Sequence, residues 1–266
     1  MEQRQTGRTT ETMPDISQKN NLYRYRMLLC VGVLIYLSAL LARTTKIVLD
    51  PTLPRDGAFY LLFVEHWIAT GDYVYTFFDR IGIQPPLSLW MIKTLTLAGF
   101  NPEIAGRSIS MFFGSMIPVV GFFFTLRISR SIRMALVAAL LLVFQPDLVM
   151  YSGQPLRENT YVFFSGMLLL LLADAMTRSS IPKWAACGVF LALSAFCRFE
   201  ALEFCVIVPF LLAALCYFGK LKIKEAVLNV AAFFLFLAMT SVILWACADF
   251  DLRLIARPLE FIGNVF

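Results

Sequence analysis

Leu87-Ser88-Leu89-Trp90-Met91-Ile92-Lys93-Thr94-Leu95-Thr96-Leu97-Ala98-Gly99-Phe100 is apolar, yet shorter than the roughly 17–25 residues of a membrane span, and it carries a lysine at its middle. Whether this segment crosses a bilayer or lies along its surface sets the topology of the whole chain. If it crosses, the basic cluster Arg127, Arg130 and Arg133 falls outside, against the tendency of Lys and Arg to stay on the cytoplasmic side. If it lies at the interface, that cluster, Arg178 with Lys183, and Lys220, Lys222 and Lys224 all face the cytoplasm. The acidic residues then separate as well. Glu2, Glu11, Asp15, Asp174 and Glu225 fall inside, and the other 13 of the 18 fall outside.

The surrounding composition makes the bilayer the right frame. Hydrophobic residues form 59% of the 266 positions and charged residues 15%, against about 25% charged in soluble domains, and mean hydropathy is +0.73. Too little polar surface remains to cover the apolar runs in water, which excludes a soluble enzyme, a nucleic-acid-binding domain and a disordered chain. Apolar runs lie near 27–42, 104–126, 132–150, 159–176, 184–199, 201–218 and 226–247. The expectation is an all-α integral membrane protein with about seven transmembrane helices and juxtamembrane helices in the first extracytoplasmic loop. Residues 1–23 read as a disordered cytoplasmic tail, 24–250 as one polytopic domain whose first outer loop is 43–103, and 251–266 as an extracytoplasmic stub. Trp184 and Trp245, near span ends, suit the aromatic belt. The six cysteines lie within apolar runs, none as Cys-x-x-Cys, and His66 is the one histidine, a pattern that offers no structural zinc site.

A long loop in a compact protein is usually functional. In the first outer loop an apolar stretch, 58–69, spaces Phe59, Leu62, Phe63 and Trp67 as an amphipathic surface helix. Asp56 stands just ahead of it, where it reads as an N-cap, as a catalytic base, or as both. Glu158 similarly precedes the 159–176 run, where capping and dipole stabilisation are the structural alternative. Arg198-Phe199-Glu200 falls between two apolar runs, and ionisable groups there usually face a partner or a watery cavity.

Read in order, these segments resemble a known family. Arg55-Asp56-Gly57-Ala58-Phe59-Tyr60, Gly71-Asp72-Tyr73, Gln84-Pro85-Pro86-Leu87-Ser88-Leu89-Trp90, Ala105-Gly106-Arg107, Tyr151-Ser152-Gly153 with Glu158, and Arg198-Phe199-Glu200 follow one another along one membrane face. The set is similar to the polytopic GT-C glycosyltransferases, in the branch of the protein O-mannosyltransferases, aminoarabinose transferases and bacterial lipopolysaccharide-core sugar transferases. The similarity runs from about residue 25 to 250.

That resemblance implies a GT-C-like catalytic module in a bacterial inner membrane. Its donor would be a polyprenyl-phosphate-linked sugar, used on the extracytoplasmic side, and its acceptor a glycan, lipid or protein hydroxyl; membrane lipids are the other partner and nucleic acid is not one. Asp56 corresponds to the loop base and Glu158 to the acidic residue of the second outer loop. Arg198 and Glu200 correspond to the Arg-x-Glu pair, with Arg157 and Arg55 as further contacts to donor phosphate. Gln84 stands where the family usually has lysine. No cofactor is assigned, and a divalent cation shared by Asp56 and Glu158 is left open. Family members normally carry further spans, so the chain also reads as a shortened, non-catalytic module. A transporter or flippase of lipid-linked intermediates is the other alternative. The gathering of charge at one surface and the lack of visible repeats argue against that one.

Overall fold

A computed structural model describes residues 16–71, 75–77, 80–82, 85–177 and 179–247. Gln84, Asp72, Tyr73, Arg178, the first part of the expected tail (1–15) and the whole stub (251–266) lie outside these residues. The chain divides into two units, Met1–Leu34 and Ile35–Phe266. The described part of the first unit belongs to helix α1, Ile16–Leu49, which runs on into the second.

The second unit is a helical bundle. After α1 come α2 (Arg55–Thr70), a short antiparallel pair β1 (Tyr75–Phe77) and β2 (Arg80–Gly82), and α3 (Pro86–Leu97). The long helix α4 (Pro102–Ser129) starts at Asn101, whose side chain accepts from Glu103 N–H at 2.9 Å, with Pro102 at the first position where its missing N–H costs nothing. Then follow α5 (Ile132–Phe144), α6 (Pro146–Ser152), α7 (Glu158–Thr177), α8 (Ile181–Ala195), a 3-10 turn (Phe199–Glu203), α9 (Phe204–Tyr217) and α10 (Ile223–Cys247). α4 packs along α5 and α7, and α8 lies against both α7 and α10. Leu168, Leu172, Trp184, Leu191, Val208, Leu212 and Phe233 form the largest buried cluster between them.

The molecule is an all-α membrane protein, and the expected runs differ in how well each suits a span. Among the described residues five helices are long and apolar enough to cross: Tyr25–Leu49, Pro102–Ser129, Glu158–Thr177, Phe199–Tyr217 and Ile223–Cys247. The expected run 132–150 is broken into α5 and α6, bent by 54°, and counts as a sixth only if the pair is one span. Pro146 is the cause, because it lacks the N–H to continue the ladder and its ring disfavours helical backbone at Gln145. α8 has 15 residues, about 22 Å at 1.5 Å per residue, which is short of the ~30 Å hydrocarbon layer. Trp184 does not face a headgroup belt. It is fully buried, and its indole N–H donates to Ser179 Oγ at 3.0 Å, an oxygen that also accepts from Asn229 Nδ2 at 2.8 Å.

The two ends of the bundle differ. At one end Asp174 of α7 pairs with Arg127 of α4 at 2.6 Å and with Lys183 of α8 at 2.5 Å, tying three helices together. The residues singled out from sequence lie at the other end.

Candidate active site

Helix α2 begins earlier than its apolar stretch suggests. Its N-cap is Pro54, which offers no side-chain acceptor, and Arg55 and Asp56 are already helical. Asp56 is therefore not the N-cap expected from sequence. It stands in the first turn, where backbone N–H groups leave partial positive charge that favours a carboxylate. Its side chain is exposed and forms no hydrogen bond or ion pair among the described residues. Arg55 is likewise exposed and unpaired. One helical turn on from Asp56, on the same face, is Tyr60. The helix buries Tyr60, Leu61, Phe63, Val64 and Trp67 against α3 and α4, so Leu62, expected on that face, points outward instead.

The segment from Gly153 to Glu158 is held against α2 and α4 by two contacts. Arg107 of α4 is anchored by Glu103 Oε1 at 2.8 Å and donates to Gly153 O at 2.6 Å and to Pro51 O at 2.8 Å, joining both connecting loops to one guanidinium. Pro155 sits in a notch with glycine on two sides. A Cβ at Gly106 would come 2.6 Å from Pro155 Cβ, and one at Gly57 would come 3.0 Å from Pro155 Cγ. Both glycines belong to the quoted motifs, and close backbone approach is what requires them there.

Three residues beyond Pro155, Glu158 opens α7. The guanidinium of Arg157 lies over the Tyr60 ring, 5.6 Å from its centroid, and that of Arg198 lies over the Tyr161 ring at the same distance. Arg198 follows the end of α8 in extended backbone. Its Nη2 meets Glu200 Oε1 at 2.7 Å and its Nη1 stands 3.7 Å from Glu158 Oε1. The Glu200 hydrogen bond, foremost, holds Arg198 above its ordinary pKa. The other Glu158 oxygen, Oε2, is buried with no partner among the described residues. Leu87 N–H donates to Phe196 O at 2.9 Å, which brings the Pro85-Pro86-Leu87 motif beside Arg198.

These groups converge on Tyr60. Burial raises its phenol above the ordinary value; Arg157 opposes the rise, Glu158 and Asp56 add to it, and Arg198 opposes it. One buried phenol therefore feels Asp56, Arg157, Glu158 and Arg198 together. Glu200, exposed, joins them through Arg198. Arg55 is the one described candidate that the structure leaves outside the cluster. Behind Tyr60 and Arg157 lies a cavity of about 10 Å³, water-sized and far too small for a sugar. The carboxylates do not form a ready cation cage, since Glu158 and Glu200 both face Arg198 and, among the described residues, no group of three or more His, Cys, Asp or Glu is placed to hold a metal.

Sequence reading passed over Tyr60, Tyr161 and Pro155. Helical spacing from Asp56 and from Glu158 points to the two tyrosines. Nothing local marks Pro155.

Residues 83–245 match the dolichyl-phosphate-mannose-protein mannosyltransferase family, a segment covering more than half of the chain. The chain belongs to this family. It is a membrane glycosyltransferase of the GT-C type. The matched segment contains Arg157, Glu158, Arg198 and Glu200, whereas Arg55, Asp56 and Tyr60 precede it. A search of curated proteins finds no significant match.

Proposed function

We propose that the chain transfers a sugar from a polyprenyl-phosphate donor to a hydroxyl acceptor at the extracytoplasmic face of the membrane, with Asp56 as general base. The observation that carries this reading is that Asp56, without a partner among the described residues, stands one helical turn from Tyr60, over whose ring lies the guanidinium of Arg157, next in sequence to Glu158. Of the three candidate carboxylates, Asp56 alone has no cation against it among the described residues.

The acceptor oxygen attacks the anomeric carbon and its proton passes to Asp56. The bond from that carbon to the phosphate oxygen breaks, and polyprenyl phosphate leaves with the electron pair. A phosphate is a good leaving group, so the charge needs donors more than an acid. Arg157 and Arg198 supply planar, permanently charged forks for its oxygens. Attack from the face opposite the departing phosphate inverts the anomeric centre. Buried Oε2 of Glu158 is an acceptor suited to a sugar hydroxyl. For the lipid, an apolar cavity of about 150 Å³ between α4, α5 and α7, lined by Ile117, Gly121, Phe124, Leu142, Gly166 and Leu169, has room for about one isoprene unit. The basic cluster at the far end of the bundle supports this sidedness.

The test is Asp56→Asn assayed in membranes with a labelled polyprenyl-phosphate mannose. Transfer is expected to fall by about 10²–10⁴-fold with expression and insertion unchanged. Turnover at the wild-type rate would remove Asp56 as base, and reaction of a cysteine at position 56 only with cytosolic reagents would reverse the sidedness.

A further inference from the structure

Arg43 lies on α1 and is fully buried. Its Nε donates to Ser152 Oγ at 3.0 Å and its Nη1 to Ala39 O at 3.0 Å, while Nη2 is buried without a partner among the described residues. Among the described residues no carboxylate pairs with it. A guanidinium inside a membrane bundle without a counter-ion is expensive, and such groups are kept where they serve function.

What Arg43 grips is the approach to the candidate site. Ser152, the last residue of α6, donates its own hydroxyl hydrogen bond to Leu148 O at 2.5 Å. A Cβ at Gly114 of α4 would run into Ser152 Oγ and come 3.3 Å from Asn159 Cγ, so Ser152 and Asn159 meet over one glycine. Asn159 Nδ2 donates to Ser110 Oγ at 2.9 Å, and that hydroxyl lies 3.1 Å from Tyr151 O. All four polar side chains are buried, and they fasten both ends of the segment 151–159, within which stand Arg157 and Glu158.

We propose that Arg43 is a positioning residue: through Ser152 it fixes the 151–159 segment and so sets where Arg157 and Glu158 stand toward substrate. This rests on the function proposed above for those two residues, and the test carries a readout that does not. Arg43→Met, Arg43→Lys, Ser152→Ala and the double variant R43M/S152A are compared with wild type in lipid nanodiscs. Amide hydrogen exchange is followed over 151–161 and over 181–195, and initial rates are taken with labelled polyprenyl-phosphate mannose per folded molecule. In R43M, exchange over 151–161 is expected to rise about ten-fold while 181–195 is unchanged. The kcat falls by about 10²-fold, as for a displacement near 1 Å, with a much smaller change in KM for the donor. S152A gives a weaker form of both effects, R43K recovers part of the loss, and the double variant is no worse than R43M because one chain of contacts is cut twice.

The proposal is overturned if exchange over 151–161 is unchanged, if it rises evenly through the bundle, or if the two single effects multiply independently. Should R43M fail to fold, R43K and S152A carry the same comparison. Absence of transfer by the wild-type protein would sink the proposed function, while the exchange data would still decide the anchor.

Discussion

Replacing Gly106 by alanine is the most direct way to move the candidate site without touching it. The added Cβ lies 2.6 Å from Pro155 Cβ, and ordinary carbon contacts are about 3.5–4.0 Å, so about 1 Å has to be found. Ile92 Cδ1 at 3.4 Å and Leu61 Cδ2 at 3.5 Å already line the other sides, which leaves α4 little freedom to yield. Pro155 is a ring beside backbone instead of a flexible tip, so the loop itself retreats. Overpacking of this kind costs about 1–3 kcal/mol. The displacement reaches Arg157 two residues along and Glu158 three along, and a 1 Å misplacement of reacting groups costs about 10² in rate. The assay is initial rate with labelled polyprenyl-phosphate mannose per folded molecule, alongside thermal unfolding in detergent. Gly219→Ala is the control: its backbone is left-handed (φ +66°), so strain of about 1 kcal/mol is expected, but nothing lies within 4 Å of the new Cβ. A G106A protein that melts lower yet works within about two-fold of wild type would refute the idea that the Pro155 notch places the site.

Arg198→Lys keeps the charge but cannot reach Glu158 and Glu200 with one planar fork, so donor KM is expected to rise about ten-fold; an unchanged KM removes Arg198 from phosphate binding. Tyr60→Phe keeps the ring beneath Arg157 and is expected to leave the rate within about three-fold and the alkaline side of the pH profile unmoved, since the phenol is held protonated above its ordinary value, whereas Tyr60→Leu loses the stack and about ten-fold in rate. Asp50 is held down to about 2, first by its hydrogen bond from Lys46. The stability it lends is complete above the unfolded value near 4 and disappears as pH falls through about 2. A carboxyl NMR titration should show a midpoint near 2 that climbs in Lys46→Met; an unshifted midpoint in that variant would contradict the assignment.

Much of the site was legible as a list and little of it as an arrangement. Asp56, Glu158 and Arg198 stand out because a charged residue beside an apolar run is conspicuous. Their partners do not. Arg107 reaches Gly153 across 46 positions and Arg43 reaches Ser152 across 109, separations over which no local pattern carries information. The helix start at Arg55 was hidden because Pro54 supplies no side-chain cap to read. The break at Pro146 was in plain view, yet the apolar run continues through it, and hydropathy does not register backbone geometry.

Sequence alone determined that this chain lives in a bilayer, that its body is helical, and that its ionisable groups gather at helix ends. Those are consequences of transfer free energy summed over short windows, and the backbone has no other way to satisfy itself in hydrocarbon. Only the tertiary structure decided which helix faces look inward. Trp184 is fully buried while Phe210 is 71% exposed, although both sit in apolar helices. Lipid is as apolar as the bundle's interior, so neither face of such a helix is marked in its residues. The azimuth of each helix comes from close packing, and from that azimuth comes the meeting of Asp56, Tyr60, Arg157, Glu158 and Arg198 at one end.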